Sequence, residues 1–385
     1  MIDISIITLH ENAVKNNIDF LRKKLGEKVK ISAVVKANAY GHGIEQIIPV
    51  FEKFGINHYS VFYYSEAIRV FNSLSKPATI MVMGWLSNIS IKEAIEKEIE
   101  FYVFNIERLN IAIEYAKELN LKAKIHIEAE TGMNRSGLNI DELNDAIAII
   151  KENNEYIEIA GFCTHLAGAE SVSNHFRIQN QLNRYKKMLA TLKNNNLNPK
   201  YKHAANSAAA FVYPNTRMDL VRVGIMLYGF WSSTEVFIHY INSNHNKIDP
   251  LKRILRWHSQ IMALKEVKRG EFVGYGISYL AQTNIKTALV PVGYSFGYSR
   301  SLSNKGRVLI RGRRCSVIGV VNMNMIIIDV TNVPDAKLGD EVVLIGKQGK
   351  LEIKVSAFSE ISDELNYEIL AHLPESIIRT VKTIT

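Results

Sequence analysis

The stretch AVVKANAYGHG, Ala33 to Gly43, decides how the rest of the chain is read. An apolar strand ends on a single lysine and runs into a turn holding Tyr40, His42 and two glycines. A lysine at the mouth of a buried strand is hydrated on one side only. Desolvation then lowers its pKa and frees an amine that can attack a carbonyl and form a Schiff base. Gly41 and Gly43 would let the backbone pass close to an anion, with the polar tips of Tyr40 and His42 beside it, an arrangement suited to a phosphate-bearing aldehyde. A lysine that merely snorkels at a strand end gives the same local pattern, so the remaining sequence must decide.

Outward from Lys36, residues 8 to 24 read as a helix after a short β-like start, and the next two hundred or so residues alternate apolar strands with amphipathic helices, the signature of a parallel sheet. Candidate strands are Lys30–Val35, His58–Phe62, Thr79–Met83, Phe101–Phe104, Lys122–Ala129, Ile157–Thr164, Tyr201–Ala204 and Leu220–Val223. Eight is the number that closes a (β/α)8 barrel of the TIM type. Between them, helical spacing places Leu109, Ala112, Ile113 and Ala116 behind an Asn105 cap, and Leu143, Ala146, Ile147 and Ile150 on one face; Leu182, Tyr185, Leu189 and Leu192 form another. From about residue 235 the texture turns polar, and INSNHNKIDP reads as a linker. Beyond it, Leu255–Val267, Thr287–Pro291, Arg307–Ile310, Cys315–Val320, Ile326–Val330 and Glu341–Ile345 read as antiparallel strands. The expected architecture is a barrel over 1–245 and a mainly antiparallel β-domain over 246–385, with the first eight or so residues contributing a strand to the β-domain.

Composition narrows the function classes. With 385 residues and 47% apolar content the chain can bury a large core. Its formal charge of +9 comes from basic residues scattered along the length, without a nucleic-acid motif or interleaved aromatics, so no nucleic-acid partner is expected. The two cysteines, Cys163 and Cys315, do not make a disulfide framework and point to a cytoplasmic location. No apolar run approaches membrane length, and the N-terminus lacks a basic n-region and a cleavage-like site. No metal is expected.

Barrels place their chemistry at the carboxyl ends of the strands. The distinctive polar residues fall there: Lys36 and Tyr40 after the first strand, Glu128 and then Arg135 after the fifth, His165 after the sixth, His203, Asn206 and Ser207 after the seventh, and Arg222, Gly224 and Ile225 on the eighth. If Ile125 and Ile127 pack outward, Glu128 faces the interior, with Arg135 as its nearest candidate partner. Each residue has a plainer reading. His165 can be a core histidine, Asn206 and Ser207 can cap a helix at Ser207–Phe211, and Arg222 can be structural. Their succession on strand ends favours chemistry. A serine at a helix start with the Gly224 and Ile225 amides would form a phosphate cup.

With these motifs in place, the chain resembles the alanine racemase family over essentially its full length. The resemblance implies a pyridoxal 5'-phosphate enzyme that interconverts L- and D-alanine, supplying D-alanine for peptidoglycan. Lys36 would hold the cofactor and serve as one base. Tyr40, Ser207, Gly224 and Ile225 would take its phosphate, Asn206 and His165 would line it, and Arg222 would face the pyridine nitrogen. EFVGYGISYLAQT matches the segment supplying the opposite-face base, at Tyr275; VPVGYSFGYSR places a pocket tyrosine at Tyr294, and GVVNMNMIIIDV supplies Met323 for substrate, beside Arg135. The family's homodimers complete each site from the partner, so Tyr275 and Met323 would act in trans.

Three positions depart from the family pattern. Glu128 stands where many members carry a carbamylated lysine, and encodes the negative charge directly. Asn324 replaces the usual aspartate after Met323, which leaves open a racemase of another or a broader set of amino acids. The ending near Ile378 and Arg379 lacks the usual proline–arginine, so no phosphate ligand is placed there. Two further readings share Lys36 and the barrel. A decarboxylase would need a catalytic cysteine, for which Cys315 lacks the usual surroundings, and a non-enzymatic cofactor-binding protein would have no use for Tyr275.

Overall fold

The computed structural model describes residues 5–244, 247–362 and 365–383. The expected boundary between 245 and 246 lies outside them. The chain divides into two compact units, each taken by itself below. Strand β1 (Ile6–His10) leads directly into the helix Glu11–Leu25.

One unit comprises Ala13–Lys36 and Ile47–Lys252. Its sheet contains β2 (Lys30–Val34), β3 (His58–Val61), β4 (Thr79–Val82), β5 (Glu100–Val103), β6 (Ala123–Glu128), β7 (Ile157–Cys163), β8 (Tyr201–His203) and β9 (Leu220–Val223). All pairings are parallel, in the order β8-β7-β6-β5-β4-β3-β2-β9. The row closes where its two ends meet: the Asp219 amide donates to Lys202 O and the Arg222 amide to Ala205 O, both at 3.1 Å. A parallel eight-stranded, nearly closed barrel results. Outer helices bury the stripes that their spacing requires. Leu109, Ala112, Ile113 and Ala116 lie on Ile106–Leu119, whose Asn105 cap accepts from the Arg108 amide at 2.9 Å. On Ile140–Glu152 the stripe is Leu143, Ala146, Ile147 and Ile150. Each large aliphatic side chain so buried contributes on the order of 2 kcal/mol.

The expected linker needs correction. A helix, Thr234–Asn244, occupies the stretch from residue 235 onward. Val236 and Tyr240, one turn apart, are both buried, and the Tyr240 ring meets Phe20, Phe211 and Trp231. The face lies in the apolar run from Val236 to Tyr240, just ahead of the polar stretch that opens at Ile241.

The other unit brings together the residues up to Asn12, Ala37–Gln46 and Arg253 onward. Its strands are β1, β10 (Leu255–Gln260), β11 (Ala263–Val267), β12 (Ile285–Val290), β13 (Arg307–Ile310), β14 (Arg313–Ile318), β15 (Ile326–Asp329), β16 (Glu341–Gln348), β17 (Leu351–Ile353) and β18 (Ile378–Lys382). The sheet order is β11-β12-β15-β14-β13-β16-β10-β1-β18, antiparallel except for the β1–β18 pair, with β17 on β16. The stretch 255–267, read from sequence as one strand, is two. At the break, the Ile261 amide turns to Asp340 O and the Met262 amide to Leu289 O, so the chain leaves β16 and joins β12. Strand β1 lies between β10 and β18, and Trp257 Nε1 donates to Ser5 Oγ at 2.8 Å in the core beside it.

Candidate active site

Lys36 stands just beyond β2, after Val35, whose amide still bonds Ser60 O at 2.9 Å. Its amine makes no hydrogen bond among the described residues. Burial lowers its pKa, the Arg135 charge lowers it further, and Glu66 partly offsets both. At the end of β7, burial pushes the His165 imidazole down to about 3, helped by Arg222, Arg135 and Lys36. The structure therefore brings Lys36, Arg135, His165 and Arg222 within electrostatic reach of one another, with His165 as a neutral ring.

Arg222, buried on β9, is held by backbone and imidazole. Nη2 donates to Thr164 O at 2.9 Å and Ala204 O at 3.0 Å, and Nη1 bonds His203 Nδ1. Its Nε–H has no partner among the described residues, which leaves one donor for an external acceptor. Nearby in sequence, Ser207 Oγ accepts the Gly224 amide at 3.0 Å, so the hydroxyl proton stays available to donate. The Ile225 amide bonds to nothing among the described residues. Asn206 caps the helix Ser207–Val212: its Oδ1 accepts from the Ala209 amide at 2.9 Å, and its Nδ2 donates to Glu170 at 3.1 Å.

Glu128 ends β6 as a buried carboxylate. Burial raises its pKa, while the Ser136 hydroxyl, Arg135 and Arg222 pull it back. The expected direct partnership with Arg135 does not form. Arg135 is exposed and makes no ion pair with Glu128, and Ser136, the next residue, supplies the hydrogen bond. Glu128, Arg135, Ser136, Thr164 and His165 line one recess.

In the other unit, the turn after Lys36 is left-handed. Ala37, Asn38, Ala39 and Tyr40 all have φ between 51 and 55°, a conformation costing about 1–2 kcal/mol per residue for L-amino acids. The roles expected of its neighbours change accordingly. His42 is fully buried, and its Nδ1 reaches Ala39 O at 3.0 Å and Tyr40 O at 2.9 Å, so it braces the turn rather than facing an anion. Gly41 packs against backbone: a Cβ there would stand 1.8 Å from Leu370 O. Arg379 is buried and donates to the carbonyls of Gly41, Leu373, Glu375 and Ile377. Burial raises the pKa of Tyr40, and Tyr367 raises it further.

The same unit carries the remaining candidates on loops. Tyr275, 73% exposed, lies between Gly274 and Gly276, both at positive φ. Tyr294 and Met323 are joined through backbone: the Tyr294 amide donates to Asn322 O and the Ser295 amide to Met323 O, each at 3.0 Å. Ser295 Oγ donates to Asn324 Oδ1 at 2.8 Å, fixing that amide beside Met323.

Comparison with known proteins fits both units. The family models described as the N-terminal and C-terminal domains of alanine racemase match residues 9–231 and 254–381. The alanine racemase of Halothermothrix orenii is 35% identical over 384 residues, covering 99% of this chain and 96% of that protein. The chain belongs to the alanine racemase family. The enzyme is accordingly an isomerase, a racemase of alanine. Among solved alanine racemases, the Bacillus anthracis structure with bound L-Ala-P superposes with a TM-score of 0.89 at 29% identity, covering 99% of this chain and 96% of that one. The Bartonella henselae alanine racemase, with covalently bound pyridoxal phosphate, gives 0.83 at 27% identity, covering 99% and 100%.

Sequence reasoning about this racemase missed two residues. Arg108 is buried over the Phe104 ring at 4.6 Å, and the Glu128 charge acts on it. Its place on a helix stripe disguised it as surface. Tyr367 sits close enough to act on Tyr40, and the Asn-Tyr-Glu run that carries it was the available signal. Among the described residues, no helix is long and apolar enough to cross a membrane.

Proposed function

We propose that the enzyme racemises alanine with two bases, Lys36 and Tyr275, on opposite faces of the substrate, and that it holds pyridoxal 5'-phosphate to do so. The residues present fit that cofactor. Among the described residues Lys36 offers a desolvated amine with no hydrogen-bond partner and Arg222 Nε–H is an unused donor, and the Ser207 hydroxyl and Ile225 amide are further donors for a phosphate. When bound, pyridoxal phosphate supplies the electron sink that acidifies the substrate α-C–H. The observation that carries the reading is Lys36: a lysine at a strand end, with its pKa lowered by burial and by Arg135.

In this reading Tyr40, Ser207, Gly224 and Ile225 take the phosphate, and Asn206 and His165 line the cofactor. Arg222, which can only donate, keeps the facing nitrogen an unprotonated acceptor. Arg135, Tyr294 and Met323 contact substrate, with Glu128 and Asn324 tuning them. Lys36 removes the α-proton of the D-enantiomer and Tyr275 that of the L-enantiomer, each returning a proton on its own face in the opposite direction. Each base contributes roughly 10²–10⁴-fold. Tyr275 and Met323 belong to the second subunit of a homodimer, a role that their exposure here permits. D-alanine for peptidoglycan is the proposed use, in the cytoplasm.

Incubation of the loaded enzyme with L-alanine in deuterated buffer, following loss of chirality together with α-deuteration, tests this, with L-serine and L-lysine in parallel. Racemisation of alanine alone supports the reading. Turnover of the others instead means that Glu128 and Asn324 redirect specificity, and absence of exchange on all three rejects it. The decarboxylase reading gains no catalytic cysteine: Cys315 lies within β14, buried, with its thiol pushed up to about 11 by burial.

A further inference from the structure

Behind Arg222 the barrel interior holds a chain of polar side chains that the two-base reaction leaves unassigned. Glu100 on β5, His126 on β6, His203 on β8 and Arg222 on β9 are all buried. His126 Nε2 lies 2.7 Å from Glu100 Oε2, His126 Nδ1 lies 2.9 Å from His203 Nε2, and His203 Nδ1 meets Arg222 Nη1. His126 and His203 stand on strands separated by β7, and their contact passes over Gly161 of that strand, where a Cβ would stand 2.0 Å from His126 Nδ1. From the side, His58 Nε2 approaches Glu100 at 3.8 Å, with its Nδ1 2.9 Å from Ser32 Oγ, which in turn meets Ser60 Oγ.

The ends of this chain fix its direction. A guanidinium has only donors, and a carboxylate has only acceptors. Arg222 must therefore donate to His203 Nδ1, which leaves the His203 proton on Nε2. That proton points at His126 Nδ1, and the His126 proton then sits on Nε2, facing Glu100. We infer that Glu100 anchors a one-way donor chain, Arg222 to His203 to His126 to Glu100, which fixes both imidazoles as neutral Nε2–H tautomers and positions Arg222. No other assignment makes all three bonds with neutral rings. The pKa directions agree. Burial and the Arg222 charge hold His203 far below the usual histidine range. Burial pushes Glu100 up, but the hydrogen bond from His126 and the positive charge nearby, Lys200 included, outweigh it, and the carboxylate sits below its usual range.

Its consequence for catalysis rests on the racemase reading above. Arg222 has two ways to face a ring nitrogen, by Nε or by a terminal nitrogen, and the chain commits Nη1 to the interior. Glu100 is thus a positioning residue that holds the orientation of the one remaining donor from the far side of the lumen.

The test begins with unmodified protein labelled with ¹⁵N-histidine, without and with pyridoxal phosphate, in long-range ¹H–¹⁵N correlation spectra at neutral pH. Both His126 and His203 should show a protonated Nε2 and an unprotonated Nδ1 in either state. A protonated Nδ1 on either ring overturns the chain. Glu100→Gln, which can turn its amide donor toward His126, should disturb the His126 tautomer, shift the visible band of the bound cofactor and lower kcat by about tenfold with KM within about twofold, the scale seen for outer-sphere partners of bound groups. Glu100→Asp should restore the band. Unchanged tautomers, band and kcat in Glu100→Gln would refute the positioning role. Correct tautomers in a protein that racemises nothing would leave the chain standing and reject the racemase reading alone.

Discussion

Arg379 Nε donates to the carbonyl of Gly41 at 2.9 Å, so a residue close to the end of the chain locks the left-handed turn that follows Lys36. The same guanidinium reaches the carbonyls of Leu373, Glu375 and Ile377. Removing it leaves several carbonyls without their donor in a buried place, at about 1–3 kcal/mol for an unsatisfied group. Arg379→Ala should lower unfolding stability by about 3 kcal/mol or more in urea titrations, and Arg379→Lys, lacking the planar fork, should recover only part of it. A loss under about 1 kcal/mol would mean that the turn holds itself.

Gly41→Ala should be worse tolerated than a change at the exposed Gly270, although both glycines have positive φ. At Gly270 a Cβ meets nothing within 4 Å, whereas at Gly41 it collides with the Leu370 backbone. The pair separates the cost of φ alone, about 1 kcal/mol, from that of the collision. Thermal melts of the two variants that coincide would show that the turn moves to make room.

Arg135 acts on Lys36 through charge, because its guanidinium lowers the lysine pKa. Arg135→Gln should let Lys36 keep its proton to higher pH. In the protein without cofactor, the pH profile for amine labelling at Lys36 should move alkaline. Glu66→Gln should move it the other way, since Glu66 raises that pKa. Peptide mapping after trinitrobenzenesulfonate treatment reads both, and a profile that stays in place in Arg135→Gln would disprove the coupling.

Activity should be indifferent to bicarbonate, since the Glu128 carboxylate is covalently part of the chain. Glu128→Gln keeps the shape and the Ser136 contact but removes the charge beside Arg135, and should raise KM for alanine by about tenfold, corresponding to ~1.4 kcal/mol. Equal KM values in wild type and variant would assign Glu128 to packing.

Acid should unfold the barrel unit through its histidines. Burial holds His58 and His165 down to about 3, and holds His203 well below the usual histidine range. All three titrate near 6.5 when unfolded. Below that value the unfolded chain binds protons that the fold refuses, so stability falls as pH drops from about 6.5 toward 3. The slope approaches ~1.4 kcal/mol per pH unit for each fully buried ring. Glu100, lowered on balance, adds to the loss below about 4.5, while Glu128, raised by burial, opposes it in its own range. Urea midpoints flat between pH 4 and 7 would contradict this.

Periodicity made the barrel legible, because alternating strands and stripes such as Leu109, Ala112, Ile113 and Ala116 are local patterns. The site residues were legible as a succession on strand ends. Long-range geometry was not. The four residues Ala37–Tyr40 include no glycine to mark them as left-handed, and the turn is braced in part by the distant Arg379. His126 alternates with Ile125 and Ile127 as Glu128 does, but its partners on β5 and β8 come from remote parts of the chain. The strand break at Ile261 is equally hidden, because it arises from the carbonyls of Asp340 and Leu289. Arg108 shows the reverse error, a charged residue on an apolar stripe whose burial only the packed barrel explains.

The place of β1 between β10 and β18 also sets a timetable for synthesis. Thr8 and its partner His258 are 250 positions apart. At about 5–20 residues per second a ribosome needs roughly 12–50 s to cover that distance. Strand β1 waits through all of that time with both edges open, while the barrel unit is completed behind it. Its two neighbours then arrive in order, β10 first and β18 after it, so its second edge stays open until β18 has been made.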